Sequence, residues 1–391
     1  MRIGILVDEL VPGSAPKLIG WPIRKLKELG VEAEALVIIE KDHWQKHKKH
    51  YDFHLKNTKI KYLFPFFPKW AQRIDFKFPG MSFFSLHHIM SWFFAYRAIV
   101  KKEFDIIIAH CQYSGLAAAN IKRYKKIPFL LLMWDPSTFT AKKIYKKRMG
   151  LEYSILYLGA KILDKMALKN CEAVITSGKF HHEYLNKITK KNLEILPTGC
   201  FAKENLPDFS MRKPMIITYD RWDIGNIPTI FLDILQSLNN KDVTLTLGGF
   251  WYPSYLKEVF TTEVKKRDLS NRVNILGPLN EEMIMKLCSE AMVHIHPIHE
   301  AFGMQSLEAA ACGCPVIIPK GSGVADLFEE GIHGYFPEPG NFKQLIESVN
   351  KIFSDIDKTK SMSMNAWERA KNYTWENYAK NLLEICKKYT L

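Results

Sequence analysis

Between Met292 and Pro319 the chain fits a strand, a glycine turn, a helix and a second strand into one short stretch, and this leaves few folds open. Residues 292–296 alternate as a short buried strand does, and Pro297 ends them. Ala301-Phe302-Gly303 makes a small turn, and the alanine-rich run from Gln305 to Ala311 has helical composition. Gly313 suits the left-handed conformation beyond a helix end, and Pro315 to Pro319 reads as the next strand. Strand–helix–strand units build α/β sheets, where ligands bind at the loops leaving the carboxyl ends of strands.

The same alternation runs through the rest of the chain. Strands are predicted at 2–7, 35–39, 105–109, 129–133, 173–177 and 193–196, with helices at 18–29, 82–102, 114–124 and 153–169. It restarts with strands at 215–219, 243–247 and 273–276 and helices at 255–267 and 281–289. At 391 residues the chain is too long for one ordinary core. The proline-bearing stretch 203–214 reads as a linker, dividing the chain into domains 1–205 and 206–370, with a last amphipathic helix in 371–391.

A hydrophobic content of 47% with 25% charged residues belongs to a folded rather than a disordered chain. The seven cysteines show no CxxC spacing, and the Cys312/Cys314 pair lacks partners for a zinc site, so reduced cytosolic thiols are expected. The chain opens directly on a strand, so no signal peptide is expected. No segment approaches the length of apolar sequence that spans a bilayer. Together these predict a cytoplasmic protein.

Charge is unevenly placed. Residues 1–200 hold 34 Lys+Arg against 17 Asp+Glu, while 201–391 hold 21 against 24. A basic half admits nucleic acid, an anionic membrane surface, an acidic substrate, or simply a lysine-rich solvated surface. The aromatic-basic run between Lys61 and Arg97 suits a membrane interface, although helix 82–102 also has a core to fill. Lys142 to Arg148 adds five positive charges, which suit a solvated face or an anionic headgroup. The His43, His47 and His50 patch reads as a solvated loop. No nucleic-acid motif is present, and no nucleic-acid partner is expected.

Two carboxylates bracket the glycine turn of the opening stretch: Glu300 before it and Glu308 inside the helix, seven residues apart. The pattern resembles the E-x7-E signature of retaining nucleotide-sugar glycosyltransferases of family 4, with Phe302, Gly303 and Ala309 in their usual places. The resemblance implies the GT-B fold: two doubly wound Rossmann-like domains facing each other across a cleft, with the C-terminal helix crossing back to the first. It implies that Glu300 contacts the donor sugar and Glu308 the ribose, while the turn from Phe302 through Gly303, with Met304 and Leu307, borders the donor. Arg221 matches the arginine of the family's R-x4-K, whose two cations hold the diphosphate, and Asn226 stands where the lysine is usual. Gly13 lies in the loop that resembles the family's phosphate loop, and Gly277 in the one bordering the base. His110 resembles the strand-end histidine of the first domain; Trp134 occupies another histidine's place, with Asp135 beside it as a polar substitute.

The implied activity is transfer of a hexose from a nucleotide-diphosphate sugar, with retention of configuration and no required metal or other cofactor. The implied partners are that donor and a glycan or lipid-linked acceptor, with the basic half against an anionic membrane as a peripheral protein. The alternative is a catalytically impaired nucleotide-sugar-binding protein or scaffold of the same fold.

Overall fold

A computed structural model describes residues 1–7, 10, 15–39, 41–63, 86–142, 146, 152–223 and 227–390. Their contacts separate into two units, Met1–Pro197 with Trp375–Leu391, and Thr198–Thr374.

In the first unit, β1 (Arg2–Val7), β2 (Glu32–Ile38), β3 (Ile60–Leu63), β4 (Ile106–His110), β5 (Phe129–Leu132), β6 (Ala173–Thr176) and β7 (Asn192–Ile195) form one sheet. The order is β3-β2-β1-β4-β5-β6-β7, with every pairing parallel. Helices α1 (Ala15–Glu28), α2 (Lys41–Leu55), α3 (Leu86–Ile99), α4 (Cys111–Lys125), α5 (Ser137–Thr140), α6 (Glu152–Lys169) and α7 (Lys179–Asn186) connect them. Strands covered on both faces read as continuous apolar runs, and β4 is buried throughout. Strand order reverses between β1 and β4, and His110 ends β4 at that switch point.

The second unit repeats the plan. Strands β8 (Lys213–Trp222), β9 (Thr244–Trp251), β10 (Val273–Ile275), β11 (Ala291–Ile295), β12 (Val316–Ile317) and β13 (Gly334–Tyr335) pair in parallel in the order β10-β9-β8-β11-β12-β13. Its helices are α8 (Ile230–Ser237), α9 (Leu256–Lys266), α10 (Glu281–Glu290), α11 (Met304–Ala310), α12 (Phe342–Ser354) and α13 (Ile356–Ala370). Asn280, Asn341 and Asp355 cap α10, α12 and α13 by accepting from backbone N–H groups of the first turn. The last helix, α14 (Trp375–Lys388), belongs to the first unit. There it packs on α1, and beyond it Tyr389 donates its hydroxyl to Glu194 at 2.7 Å.

Three local expectations change. The His-rich stretch is not a loop but part of α2, because Tyr51 and Leu55, one turn apart, bury against the unit and the Tyr51 hydroxyl donates to the Leu10 carbonyl at 2.9 Å. The stretch 203–214 is not a free linker. Lys203 N donates to the Ala311 carbonyl at 3.1 Å, and the buried Arg212 guanidinium donates to the carbonyls of Cys288 at 3.0 Å and Cys312 at 2.9 Å. These bonds tie the segment to the second unit, so the division falls at Pro197/Thr198 rather than after 205. At the other end it falls at Thr374/Trp375 rather than after 370, since Cys200 N donates to the Tyr373 carbonyl at 2.9 Å. The phosphate-loop glycine Gly13, Asn226, and most of the aromatic-basic run and of Lys142–Arg148 lie outside the described residues.

Candidate active site

Strand β8 runs past its predicted end. Trp222 is buried and its indole N–H donates to the Gly248 carbonyl at 2.8 Å, which holds the strand in register with β9 as far as Trp251. Arg221 therefore sits on the last turn of pleat rather than in a loop. Its guanidinium is half-exposed and 3.4 Å from Asp223. Gly249 opposes Asp220 at a φ of +121°, and a Cβ there would fall 1.8 Å from the Asp220 carbonyl oxygen. Only glycine permits that approach.

From the end of β11 the chain passes His296 and Pro297 to Glu300, whose backbone N–H donates to the Ser322 hydroxyl at 3.4 Å. Gly303 takes a φ of +94° and opens α11. The side chains of Phe302, Met304 and Leu307 turn into the core, leaving only their backbone to border a ligand. Glu308, 6% exposed, meets the Tyr219 hydroxyl at 3.1 Å, and that hydroxyl is also 3.0 Å from the Gln305 carbonyl. Burial, then the Glu308 charge, pushes the Tyr219 phenol well above its ordinary range, so it remains a donor. Gly277 accepts at its carbonyl from Gly249 N at 2.9 Å and has open space where a Cβ would stand. The strands thus bring Arg221, Glu300 and Glu308 to the carboxyl ends of β8 and β11.

Sequence reasoning missed what joins them. His296 is 3% exposed, and its Nε2 lies 3.3 Å from Asp220 Oδ2 and 3.5 Å from Glu300 Oε1. Its Nδ1 lies 3.0 Å from the Ile298 carbonyl. Asp220 Oδ1 in turn accepts from Arg221 N at 2.7 Å and Gln305 Nε2 at 3.3 Å. Burial lowers the His296 pKa, but the Glu300 charge and the Asp220 hydrogen bond and charge outweigh it and raise it to about 9. His294, two residues back, is pushed down to about 3 by burial and then by the His296 charge. The signal available in the sequence was the pair of histidines at alternate positions of a strand expected to be buried.

In the first unit, His110 is buried and held down to about 4 by desolvation, which keeps it neutral. Asp135 Oδ1 lies 3.1 Å from His181 Nε2, and the Asp135 carbonyl accepts from Gln112 Nε2 at 3.1 Å. Gln112 also donates to the buried Asp164 at 3.0 Å, and Asp164 accepts from Ser137 N and Thr138 N at 2.9 Å each. His110 thus ends β4, and Asp135 lies three residues past the end of the neighbouring β5, with His181 and Asp164 as partners that the sequence did not single out. Lys320 pairs with Glu338 at 2.8 Å.

Residues 207–369 match the family described as glycosyl transferases group 1. That match spans most of the second unit, Thr198–Thr374, and includes Arg221, Glu300 and Glu308. It is 22% identical to an uncharacterized glycosyltransferase of Methanocaldococcus jannaschii over 77% of this chain and 79% of that one. Its fold is similar to that of sucrose-phosphate synthase from Thermosynechococcus elongatus, with a TM-score of 0.76, 17% identity and 99% of each chain covered. Anabaena HepE, solved in complex with UDP-glucose, matches at a TM-score of 0.72 and 16% identity over 99% of this chain and 100% of that one. The fold of the chain is GT-B.

The His296 ionisation makes its stability depend on pH in one direction. A group whose pKa is raised by folding stabilises the native state fully below its unfolded value, near 6.5, and loses that contribution as pH rises through the folded value, about 9. Melting curves of the wild type and His296→Gln between pH 6 and pH 10 check this. The gap between them is expected to be largest at the acidic end and to shrink through the alkaline limb.

Proposed function

We propose that this protein moves a hexose from a nucleotide-diphosphate sugar to an acceptor with retention of configuration and without a metal cofactor. Glu300 holds the sugar, Glu308 the ribose hydroxyls, and Arg221 the diphosphate. The observation that carries the reading is the gathering of these three groups at the carboxyl ends of β8 and β11, with Asp220 bonded to the Arg221 backbone and linked through His296 to Glu300. A nucleotide diphosphate is an acidic leaving group, so a cation stabilises it without a strong general acid. A fork of N–H donors suits phosphate oxygens. Binding of UDP-glucose by HepE supports a UDP-sugar as the first donor to try.

Thermal shift with UDP-, GDP- and ADP-sugars tests donor binding, because selective binding to the native state raises the melting temperature. One nucleotide class is expected to raise it, and Glu308→Ala to abolish the rise. If no nucleotide sugar shifts the melting temperature, the assignment is wrong. Asn226, standing where the family has lysine, favours a second reading of donor binding without turnover. Product formation separates the two.

The proposed acceptor is a lipid-linked or otherwise anionic glycan intermediate met at the cytoplasmic membrane face. Among the described residues no helix is long and apolar enough to cross a membrane. Helix α6 presents Ile155, Leu158, Ile162 and Met166 to solvent at 76%, 58%, 45% and 51% exposure, with exposed Lys161, Lys165 and Lys169 alongside. An apolar stripe with a lysine row suits an interfacial helix on anionic lipid. The protein is expected to float with phosphatidylglycerol vesicles at low salt, and Lys161→Glu/Lys165→Glu/Lys169→Glu to remain in the soluble fraction. Wild-type protein that stays soluble under the same conditions argues for a soluble acceptor.

A further inference from the structure

We infer that His296 is a positioning residue of the donor pocket, an imidazolium held between Asp220 and Glu300 that fixes the Glu300 carboxylate against the donor sugar. The inference rests on the donor assignment proposed above, and it names the group that sets where Glu300 points.

Three observations carry it. The first is the tautomer. A backbone carbonyl only accepts, so Nδ1, 3.0 Å from the Ile298 oxygen, carries a proton. Nε2 then faces the carboxylate oxygens of Asp220 at 3.3 Å and Glu300 at 3.5 Å. A neutral ring would turn a lone pair toward two anions. A proton on Nε2 converts both contacts into charge-assisted ones. The second is burial. The His296 side chain is only 4% exposed, so there is little water to take over the screening of these charges. The third is the way the cluster is anchored. Asp220 Oδ1 is occupied by Arg221 N at 2.7 Å and Gln305 Nε2 at 3.3 Å, which aims Oδ2 at the ring. One carboxylate therefore clamps the backbone of Arg221 and, through His296, restrains Glu300. The groups assigned to the diphosphate and to the sugar hang from the same side chain.

Isolated partners do not explain this arrangement. A histidine needed only to fill the strand end would resemble His294, which is buried and neutral, with Nδ1 3.0 Å from the Ile217 carbonyl. His296 differs in having two carboxylates at its second nitrogen. Those atoms all lie within 4.8 Å of one another, so a divalent cation is the competing occupant of the point they face.

Nitrogen-15 imidazole spectra of the full chain at pH 7.5 test the inference without any donor. The His296 signals are assigned by their loss in His296→Gln, or by through-space contact to Ile298 if that variant does not fold. The expected result is a ring protonated on both nitrogens and insensitive to chelator. A ring with a bare Nε2, or an Nε2 that shifts or broadens with one equivalent of Zn2+ or Mn2+, overturns it. With the donor identified by thermal shift, His296→Gln and Asp220→Asn are each expected to lower kcat 10- to 100-fold, as misplacement of a reacting group does, with donor KM changed by less than about threefold. Unchanged kcat in folded variants overturns the positioning role even if the ring is charged. If no donor binds or turns over, the functional proposal fails, while the spectra still decide the charge of His296.

Discussion

Arg221→Ala is expected to lower kcat for sugar transfer by about 100- to 1000-fold, the loss seen when one preorganised donor to a developing anion is removed. The guanidinium is half-exposed and lies 3.4 Å from Asp223. Such a surface pair contributes little to folding. The melting temperature of the free protein should therefore change by no more than about 2 °C, while the stabilisation by a nucleotide diphosphate falls. Arg221→Lys should recover only part of the rate, because an ammonium keeps the charge and loses the two-pronged fork. The comparison matters more here than in a chain with lysine at position 226, since Asn226 supplies no charge and the proposed assignment then leaves the diphosphate to Arg221. Wild-type kcat in Arg221→Ala would remove the diphosphate role from this residue.

The second large effect is on the scaffold of the site. Gly249→Ala is expected to destabilise the second unit by about 3–5 kcal/mol, in the range reserved for strain and core disruption. The added carbon would lie 1.8 Å from the Asp220 carbonyl oxygen, and the φ of +121° is one that side chains rarely adopt. Either β8 or β9 must move, and β8 carries Asp220 and Arg221. Variants that stay folded are expected to lose donor stabilisation, because displacing Asp220 disturbs both the Arg221 backbone and the His296 contact. Urea unfolding followed by thermal shift with the donor separates the two effects. Gly277→Ala is the matched control: a Cβ there meets nothing within 4 Å, so stability is expected to hold. Equal stability of wild type and Gly249→Ala would show that the strands yield freely at this point.

Much of the architecture was legible because it is written in local periodicity. Continuous apolar runs such as Ile106 to Ala109 and their alternation with amphipathic helices specify buried parallel strands without knowledge of partners. Even so, local pattern misread α2, where the exposed Lys41, Lys46, Lys48 and Lys49 concealed one buried face, and β8, whose last residues are held by a tryptophan donating across to Gly248. The stretch 203–214 looked like a linker because prolines and charges punctuate it. Its attachment depends on Arg212 reaching the carbonyls of Cys288 and Cys312, far along the chain.

By itself, the sequence determined two α/β units and the location of the paired glutamates on a glycine turn, since both follow from spacing within a few residues. The tertiary structure decided how those glutamates are held. Asp220 meets His296 and Gln305 only because β8 and β11 pair in one parallel register, with His294 beside Ile217. Hydrogen bonds and charge pairs act over a few ångströms, and what lies within that range is set by strand pairing rather than by distance along the chain. Glu300 could be named from its neighbours in sequence; the imidazole that orients it could be found only from its neighbours in space.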